Sequence, residues 1–544
     1  MDTAKPATRA ATPPERSLVG ATSSIAVATL VSRITGFIRQ VGLAAVLGLA
    51  VINDSYTVAN TLPTMLYEVL LGGVLTSVVV PLLVRAAQED GDHGESYAQR
   101  LVTVSCVALG AATVLAVVGA PLLAWLFLGK SPNANPQLAT AFAYLLLPQI
   151  LFYGLSGLYG AILNARSIFG PPAWAPVLNN LVVLATVLVY VLVPGEISLD
   201  PIRMGDPKLL ILGVGTTAGI VAQAVVQVPG LRRAGFRFRW RWGWDPRLTQ
   251  AGGMAAWFVL YVVVGQLGYV VTTRAAAVGE AGGIVIYGLV WLLLQLPFGV
   301  IGYSLLTAIM PRMSRAAAEG DVRGVIDDLS LGSRYLTVLL VPITVVFTVA
   351  GTQIGVALFS LGKAGTNAER LGMALAVSAF GLLPYAVVML QLRVFYALAD
   401  ARTPTVINGL MTALKIPLLL ACPLLLDGSD VVLGLTAVNS MSYVVGAVVG
   451  QLWLRHRLGR LETKRALLTL GKSLLAAIPA VALVLALRPF FDIGSALGAW
   501  LYLITTTVIV LVVMSGALLA LRTPELTAAA RPVLTRFTRR QPRE

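Results

Sequence analysis

An all-α integral membrane protein with about 14 transmembrane helices is the fold class that this sequence predicts, and three observations carry it. Of 544 residues, 57% are hydrophobic and 12% charged, with a mean hydropathy of +0.82, more apolar surface than a water-soluble chain of this size can bury. Apolar windows of the roughly 20 residues that a bilayer-crossing helix needs recur from Leu18 almost to Leu521 with short polar breaks. These runs are continuous, whereas a membrane barrel alternates apolar with polar residues in strands of about ten.

Taken in order, residues 1–17, "MDTAKPATRAATPPERS", are polar, basic and Pro-rich, and they read as a disordered cytosolic tail. Basic residues then mark every second connection: Arg85 and Arg100, Arg166, "LRRAGFRFRWRWGWDPR", Arg312 to Arg334, Arg402, "LRHRLGRLETKR" and the tail after Arg522. The intervening connections are acidic or nearly neutral, as in "PGEISLDPIRMGDPK", "GEAGG" and "LDGSD". This positive-inside alternation puts both termini in the cytosol and makes the span count even. The net charge of +15 therefore points to anionic lipid surfaces, and the arginines interleaved with tryptophans in "RFRWRWGW" read as an interfacial segment, with no nucleic-acid partner expected.

Two stretches echo each other. "VVVPLLVRAAQEDGD" (78–92) and "AIMPRMSRAAAEGD" (308–321) each end an apolar helix with Pro, Arg, a pair of alanines and an acid, and Pro81 and Pro311 are 230 residues apart. A weaker echo joins "ILNARSIFGPPAWAPVLNN" to "FYALADARTPTVINGL". Both pairs lie on the cytosolic side, so the repeats run parallel. They divide the chain into an N-lobe of six helices (18–233), a C-lobe of six (234–463), two further helices (464–522) and a basic cytosolic tail (523–544). Lobes related by an axis along the membrane normal can rock about a central cavity.

Charges inside the spans are costly, about 2.5 to 3.5 kcal/mol each at the bilayer centre, so each calls for a use. Arg33 and Arg39 of the first span are about 9 Å apart along the axis and about 120° apart around it, with Gly36 between. In the second span the pairs Asn53-Asp54, Asn60-Thr61 and Tyr67-Glu68 recur every seven residues, making one polar stripe. Arg274 lies toward the outer end of the seventh span, Gln295 marks an irregular eighth span with Pro297, Gly299 and Gly302, and Lys415 sits near the centre of the eleventh. Cations from both halves with few acids among them suit an anionic ligand, and a diphosphate fits the planar donor fork of arginine. Cys106 and Cys422 are isolated in apolar spans and suit packing. No metal or prosthetic group is expected.

"SRITGFIRQ", "NDSYTVANTLPTMLYEVLLGGVLTSVVVP" and the "PLLVRAAQEDG" turn resemble the MurJ/MviN family, the lipid II flippases of the multidrug/oligosaccharidyl-lipid/polysaccharide exporter superfamily. The Ala-, Val-, Leu- and Arg-rich composition resembles an actinobacterial member. The resemblance implies a V-shaped pair of six-helix lobes around a cationic cavity, with the last two helices forming a groove for a polyprenyl tail. It implies a non-enzymatic transporter of the bacterial cytoplasmic membrane, needed for peptidoglycan synthesis, that moves undecaprenyl-diphosphate-linked disaccharide pentapeptide from the inner to the outer leaflet by alternating access. Cell-wall synthesis or division proteins join lipid II and anionic lipids as expected partners. On this resemblance the two family arginines of the first helix fall on Arg33 and Arg39, and the acid opening the second helix falls on Asp54. Two further family arginines align with Tyr67 and Leu292, so Arg274 and Lys415 are expected to supply the missing charge at the diphosphate. Asp54, Thr61, Glu68 and Gln295 are the expected polar or coupling residues, driven by the membrane potential or by a monovalent ion, Na+, H+ or Cl−. The alternative within the superfamily is a drug/cation antiporter or a polysaccharide-lipid exporter. A cation pump would place acids where these arginines stand, and a phosphate-processing enzyme would need an acid cluster for Mg²⁺ that the spans lack.

Overall fold

The computed structural model describes residues 15–72, 80–92, 94–200, 202–243, 252–428, 430–491 and 495–527, with side chains from residue 25 onward except at 71, 72, 80 and 252–255. Every regular element among the described residues is a helix, with no strand among them. Twelve described helices are long and apolar enough to cross a bilayer, thirteen if the pair Pro136–Leu146 and Gln149–Ala165, bent by 43°, is one span. The expected second span begins as Val51–Tyr67, continues through Glu68–Gly72 and resumes at Val80–Glu89, with residues 73–79 outside the described set. A count of fourteen is thus not reached among the described residues. His93, residues 244–251 of the basic sixth-to-seventh connection and most of both tails also lie outside them.

The helices pack as two sets with matching internal pairings. The first span (Glu15–Leu47) lies on the fifth (Gly170–Leu192), and the fifth on the sixth (Pro207–Val225); in the second set, Gly252–Gly279 lies on Arg402–Leu425, and Arg402–Leu425 on Asp430–Leu458. The second and eighth spans are interrupted by a π-helical turn at Glu68–Gly72 and Phe298–Gly302 respectively. Those two turns are separated by the same 230 residues as Pro81 and Pro311, so the sequence echo extends to a backbone irregularity. Such wide turns occur as inserts in α-helices and concentrate at functional sites.

Thr463–Leu487 and Ala496–Ala520 pack against each other and both against the ninth span, Val322–Phe359. The residues that follow stay attached to this second set. Thr523 is fully buried, Arg334 of the ninth span bonds Glu525 at 2.6 Å, and Lys472 Nζ donates to the Leu521 carbonyl at 2.8 Å. The start of the expected basic tail is therefore part of the packed body, because an acid at 525 meets a largely buried arginine. The largest core cluster runs across both sets, from Leu43 and Tyr56 through Phe142 to Tyr287 and Phe359.

Close helix approach in the second set depends on small residues, which let backbones touch where lipid supplies no hydrophobic drive. A Cβ added to Gly355 would lie 2.1 Å from the Ala368 carbonyl oxygen and 2.7 Å from the Gly372 nitrogen. Both are backbone atoms of the neighbouring helix and cannot swing aside. Gly355→Ala is expected to force the ninth and tenth spans apart and to destabilise the protein by about 1 to 3 kcal/mol. A drop of the heat-induced aggregation temperature in detergent checks this, and an unchanged temperature would show that the crossing relaxes freely.

Candidate functional site

Gly36 lets the first span sit close to the fifth: Asn180 of the fifth donates to the Ser32 carbonyl and to Thr35 Oγ1, both at 3.1 Å. Val27, Ile34 and Ile38 remain exposed on another face of the same helix. With those two faces assigned, the 120° between Arg33 and Arg39 sends them to different walls. The Arg33 side chain is exposed and reaches across to the eighth span, where its Nη1 lies 2.3 Å from the point a Cβ on Gly299 would occupy. It is also within electrostatic range of Tyr385 of the tenth span. Arg39 turns into the N-lobe, within range of Tyr56 and Tyr153, and its Nε is buried with no hydrogen-bond partner.

The contact made by Arg33 has a counterpart. Gln266 of the seventh span donates from Nε2 to Glu68 Oε2 at 2.9 Å. The first helix of the N-lobe thus meets the π-helical turn of the eighth span, and the first helix of the C-lobe meets the π-helical turn of the second. The two contacts are related as the repeats are. Thr61, about two helical turns from Glu68, back-bonds to the Thr57 carbonyl at 2.8 Å and pairs with Tyr269 of the seventh span. Gln295 is half-buried, four residues before Gly299.

Asp54 is 1% exposed and lies at the other end of the stripe. Its carboxylate accepts from the backbone N–H of Gly282 at 2.7 Å and of Val285 at 2.9 Å, capping the helix Gly283–Pro297 from the opposite lobe. A carboxylate there satisfies free amides and meets the positive end of the helix dipole. Gly282 makes the approach possible: its φ is +88°, and a Cβ on it would lie 2.1 Å from the Leu49 carbonyl oxygen. Neighbouring contacts reinforce this end. Ser131 Oγ donates to the Ala277 carbonyl at 2.5 Å, Asn133 Nδ2 to Val278 at 3.1 Å, Asn367 Nδ2 to Leu49 at 2.9 Å, and Lys363 pairs with Glu196 at 2.7 Å. Nearby, burial pushes the Glu280 carboxyl above its ordinary range, opposed by the Arg370 guanidinium 3.2 Å away and reinforced by Asp430. The Lys363 bond holds the exposed Glu196 below its ordinary value.

The lobes are latched at this end, which the positive-inside pattern of the sequence predicts to be the outer one. Among the described hydrogen bonds and ion pairs, none joins a span of one lobe to a span of the other inward of Glu68 and Gln266; the bonds there come from the connection after the sixth span, residues 234, 237 and 241. The polar stripe accordingly runs from buried Asn53 and Asp54, through half-buried Asn60 and Thr61, to exposed Glu68.

The other two expected cations lie elsewhere. Arg274 sits within the outer tier, its guanidinium 5.3 Å from the ring centre of Trp125 and against Gly129. Lys415 Nζ donates to Asn439 Oδ1 at 2.7 Å, between the eleventh and twelfth spans. No described contact brings either to Arg33 or Arg39. Tyr67, at one of the aligned arginine positions, stacks on Tyr153 at 5.9 Å, and Leu292 packs on the main core. Gln266, Asn133 and Asn367 were not singled out from sequence. Gln266 interrupts the apolar run "VVVGQLGYVV" and was the readable signal, whereas Asn133 and Asn367 stand in polar connections where an asparagine is unremarked.

A protein-family model described as "Lipid II flippase MurJ" matches residues 43–507. A probable lipid II flippase MurJ of Haemophilus influenzae is 27% identical over 407 residues, covering 70% of this chain and 76% of the relative. The lipid II flippase MurJ of Burkholderia cenocepacia is 25% identical over 388 residues, 69% of this chain and 72% of that one. Among solved structures, a lipid II flippase MurJ in an inward closed conformation superposes with a TM-score of 0.74 at 18% identity, over 91% of this chain and 99% of the other. An inward-facing multidrug resistance MATE family transporter of the MOP superfamily gives 0.56 at 14% identity, over 81% and 94%, a likeness of fold alone.

Proposed function

The chain belongs to the MurJ family of lipid II flippases and is a multi-pass inner-membrane transporter; from that premise we propose how its geometry moves lipid II. The headgroup enters between the lobes from the cytosolic side while the outer tier is latched. Arg33 and Arg39 bind its diphosphate from two walls, one guanidinium beside the eighth-span π turn and one against the second and fourth spans. Two forks set apart in this way can hold the two phosphates of a diphosphate without a metal ion. Release of the outer latch then lets the lobes rock, and the headgroup leaves on the far side while the tail stays in lipid.

The observation that carries this reading is the reciprocal pair of contacts, Arg33 at Gly299 and Gln266 at Glu68, beneath a latched outer end. Each lies on a π turn at the repeat offset, where two lobes moving about a normal axis meet symmetrically. Arg274 and Lys415 contribute positive potential from the C-lobe side, and a monovalent ion (Na+, H+ or Cl−) or the membrane potential acts through Asp54 or Glu68 to bias the two states. The tail lies near the thirteenth span, where an apolar cavity of about 380 Å³ is lined by Leu329, Val387, Val448, Leu467 and Leu470. Both termini face the cytosol, and the basic inner connections contact anionic lipids and cell-wall synthesis or division proteins. A drug/cation antiporter of the same fold would require acids in place of Arg33 and Arg39.

Depletion of the protein in cells, followed by a leaflet-specific assay, tests the reading. Outer-leaflet lipid II should fall and inner-leaflet lipid II accumulate. Normal outer-leaflet lipid II, with no redundant flippase present, would refute it.

A further inference from the structure

At the inner end of the N-lobe, residues 236–243, "FRFRWRWG", form a non-helical ribbon laid along the start of the third span, Glu95–Val118. Three bonds hold it there. Gln99 Nε2 donates to the Arg237 carbonyl at 2.7 Å, the Arg241 N–H donates to Thr103 Oγ1 at 3.1 Å, and the Arg241 guanidinium bonds Ser96 Oγ. Phe236 anchors the near end, buried in the cluster of Leu82, Tyr97, Leu158 and Leu231, with Arg166 over its ring.

Beyond that anchor the aromatic residues turn outward. Phe238 is 43% exposed, Trp240 68% and Trp242 74%, and the rings of Phe238 and Trp240 meet edge to face at 5.3 Å. Two tryptophans that open to their surroundings suit a membrane–water boundary, where an apolar ring can enter lipid while its N–H stays hydrated. Between the ribbon and the end of the sixth span lies a cavity of about 400 Å³ lined by Tyr159, Leu231, Arg232, Phe236, Arg237 and Phe238. Its described lining has two arginines and aromatic walls and no carboxylate. Arg233, Arg239 and Arg241 lie close by in the chain.

We infer that this cavity binds the phosphate headgroup of an anionic phospholipid of the inner leaflet, with the ribbon's tryptophans seated at the boundary with its acyl chains. Arg232 and Arg237 bond the phosphate oxygens, and Tyr159 and Phe238 cover the glycerol region. The rigid backbone attachment to the third span makes the lipid a strut between the third and sixth spans. This inference stands apart from the transport reading, because neither the cavity nor the ribbon touches Arg33, Arg39 or the outer latch.

The full chain in detergent, mixed with phosphatidylglycerol and followed by native mass spectrometry, tests it. R232Q/R237Q should weaken phosphatidylglycerol retention by about 30-fold, about fivefold for each interfacial cation, and R232K/R237K should restore most of it. Millimolar inorganic phosphate or glycerol phosphate should fail to displace the lipid. In vesicles, phosphatidylglycerol with brominated acyl chains should quench a tryptophan signal that W240F/W242F removes, and this readout does not depend on the arginine variants folding. Unchanged retention in R232Q/R237Q, displacement by free phosphate, tighter retention of undecaprenyl diphosphate than of phosphatidylglycerol, or quenching unaltered in W240F/W242F would each overturn the assignment.

Discussion

Replacement of Arg33 and Arg39 together by glutamine is expected to lower lipid II transport by at least about 100-fold at equal membrane abundance. Neither guanidinium is paired with a carboxylate among the described ion pairs, and Arg39 keeps a buried Nε without an acceptor. A buried donor without a partner is unstable unless a ligand or water completes it. A hydrogen bond to a charged group contributes about 1.5 to 3 kcal/mol, so two lost forks account for about 3 to 6 kcal/mol and each single change for about 10- to 100-fold. Lysine at position 33 should fall between, since it keeps the charge and loses the planar fork. Lys415→Met should be milder than either arginine change, because Lys415 Nζ already spends a donor on Asn439. The assay is complementation of depleted cells with leaflet-specific quantification of lipid II. Wild-type transport by the double glutamine variant would remove the arginines from the site, and full transport by Lys415→Met would remove that lysine.

Local geometry made some of this legible and long-range register did not. Six residues of helix were enough to separate Arg33 from Arg39 by about 120°, and the structure uses that angle to reach two walls. The repeat offset read from Pro81 and Pro311 also locates the two π-helical turns, because repeated bundles repeat their irregularities along with their prolines. The stripe on the second span was readable as a face, but helical period carries no information about how far apart the facing lobe stands. Asp54 and Glu68 therefore looked alike in sequence, although one is sealed against Gly282 and the other faces an unlatched region. Arg274 and Lys415 were readable as cations within spans, whose partners, Trp125 and Asn439, are set by tertiary packing.

Loss of the Asp54 side chain is expected to open the outer end. In Asp54→Ala the amides of Gly282 and Val285 would stay buried without acceptors in the latched state, and each such orphan costs about 1 to 3 kcal/mol. Water can satisfy both once the lobes part, so the cost falls on the latched state alone. The shift toward the outward-open state is then about 2 to 6 kcal/mol, or about 30- to 25,000-fold in the equilibrium. The remaining outer contacts do not replace it, since Lys363 and Glu196 are exposed and such surface pairs contribute about 1 kcal/mol or less. Asparagine is nearly as good a helix cap as aspartate, so Asp54→Asn should stay largely latched, and a transport defect in it would then reflect the lost charge. The measurement is labelling of a cysteine placed at Asn133 by a membrane-impermeant thiol reagent, with Cys106 and Cys422 first replaced by serine. Labelling should rise strongly in Asp54→Ala and little in Asp54→Asn. Equal labelling in Asp54→Ala and the parent would mean that the two amide bonds are not what holds the outer end shut.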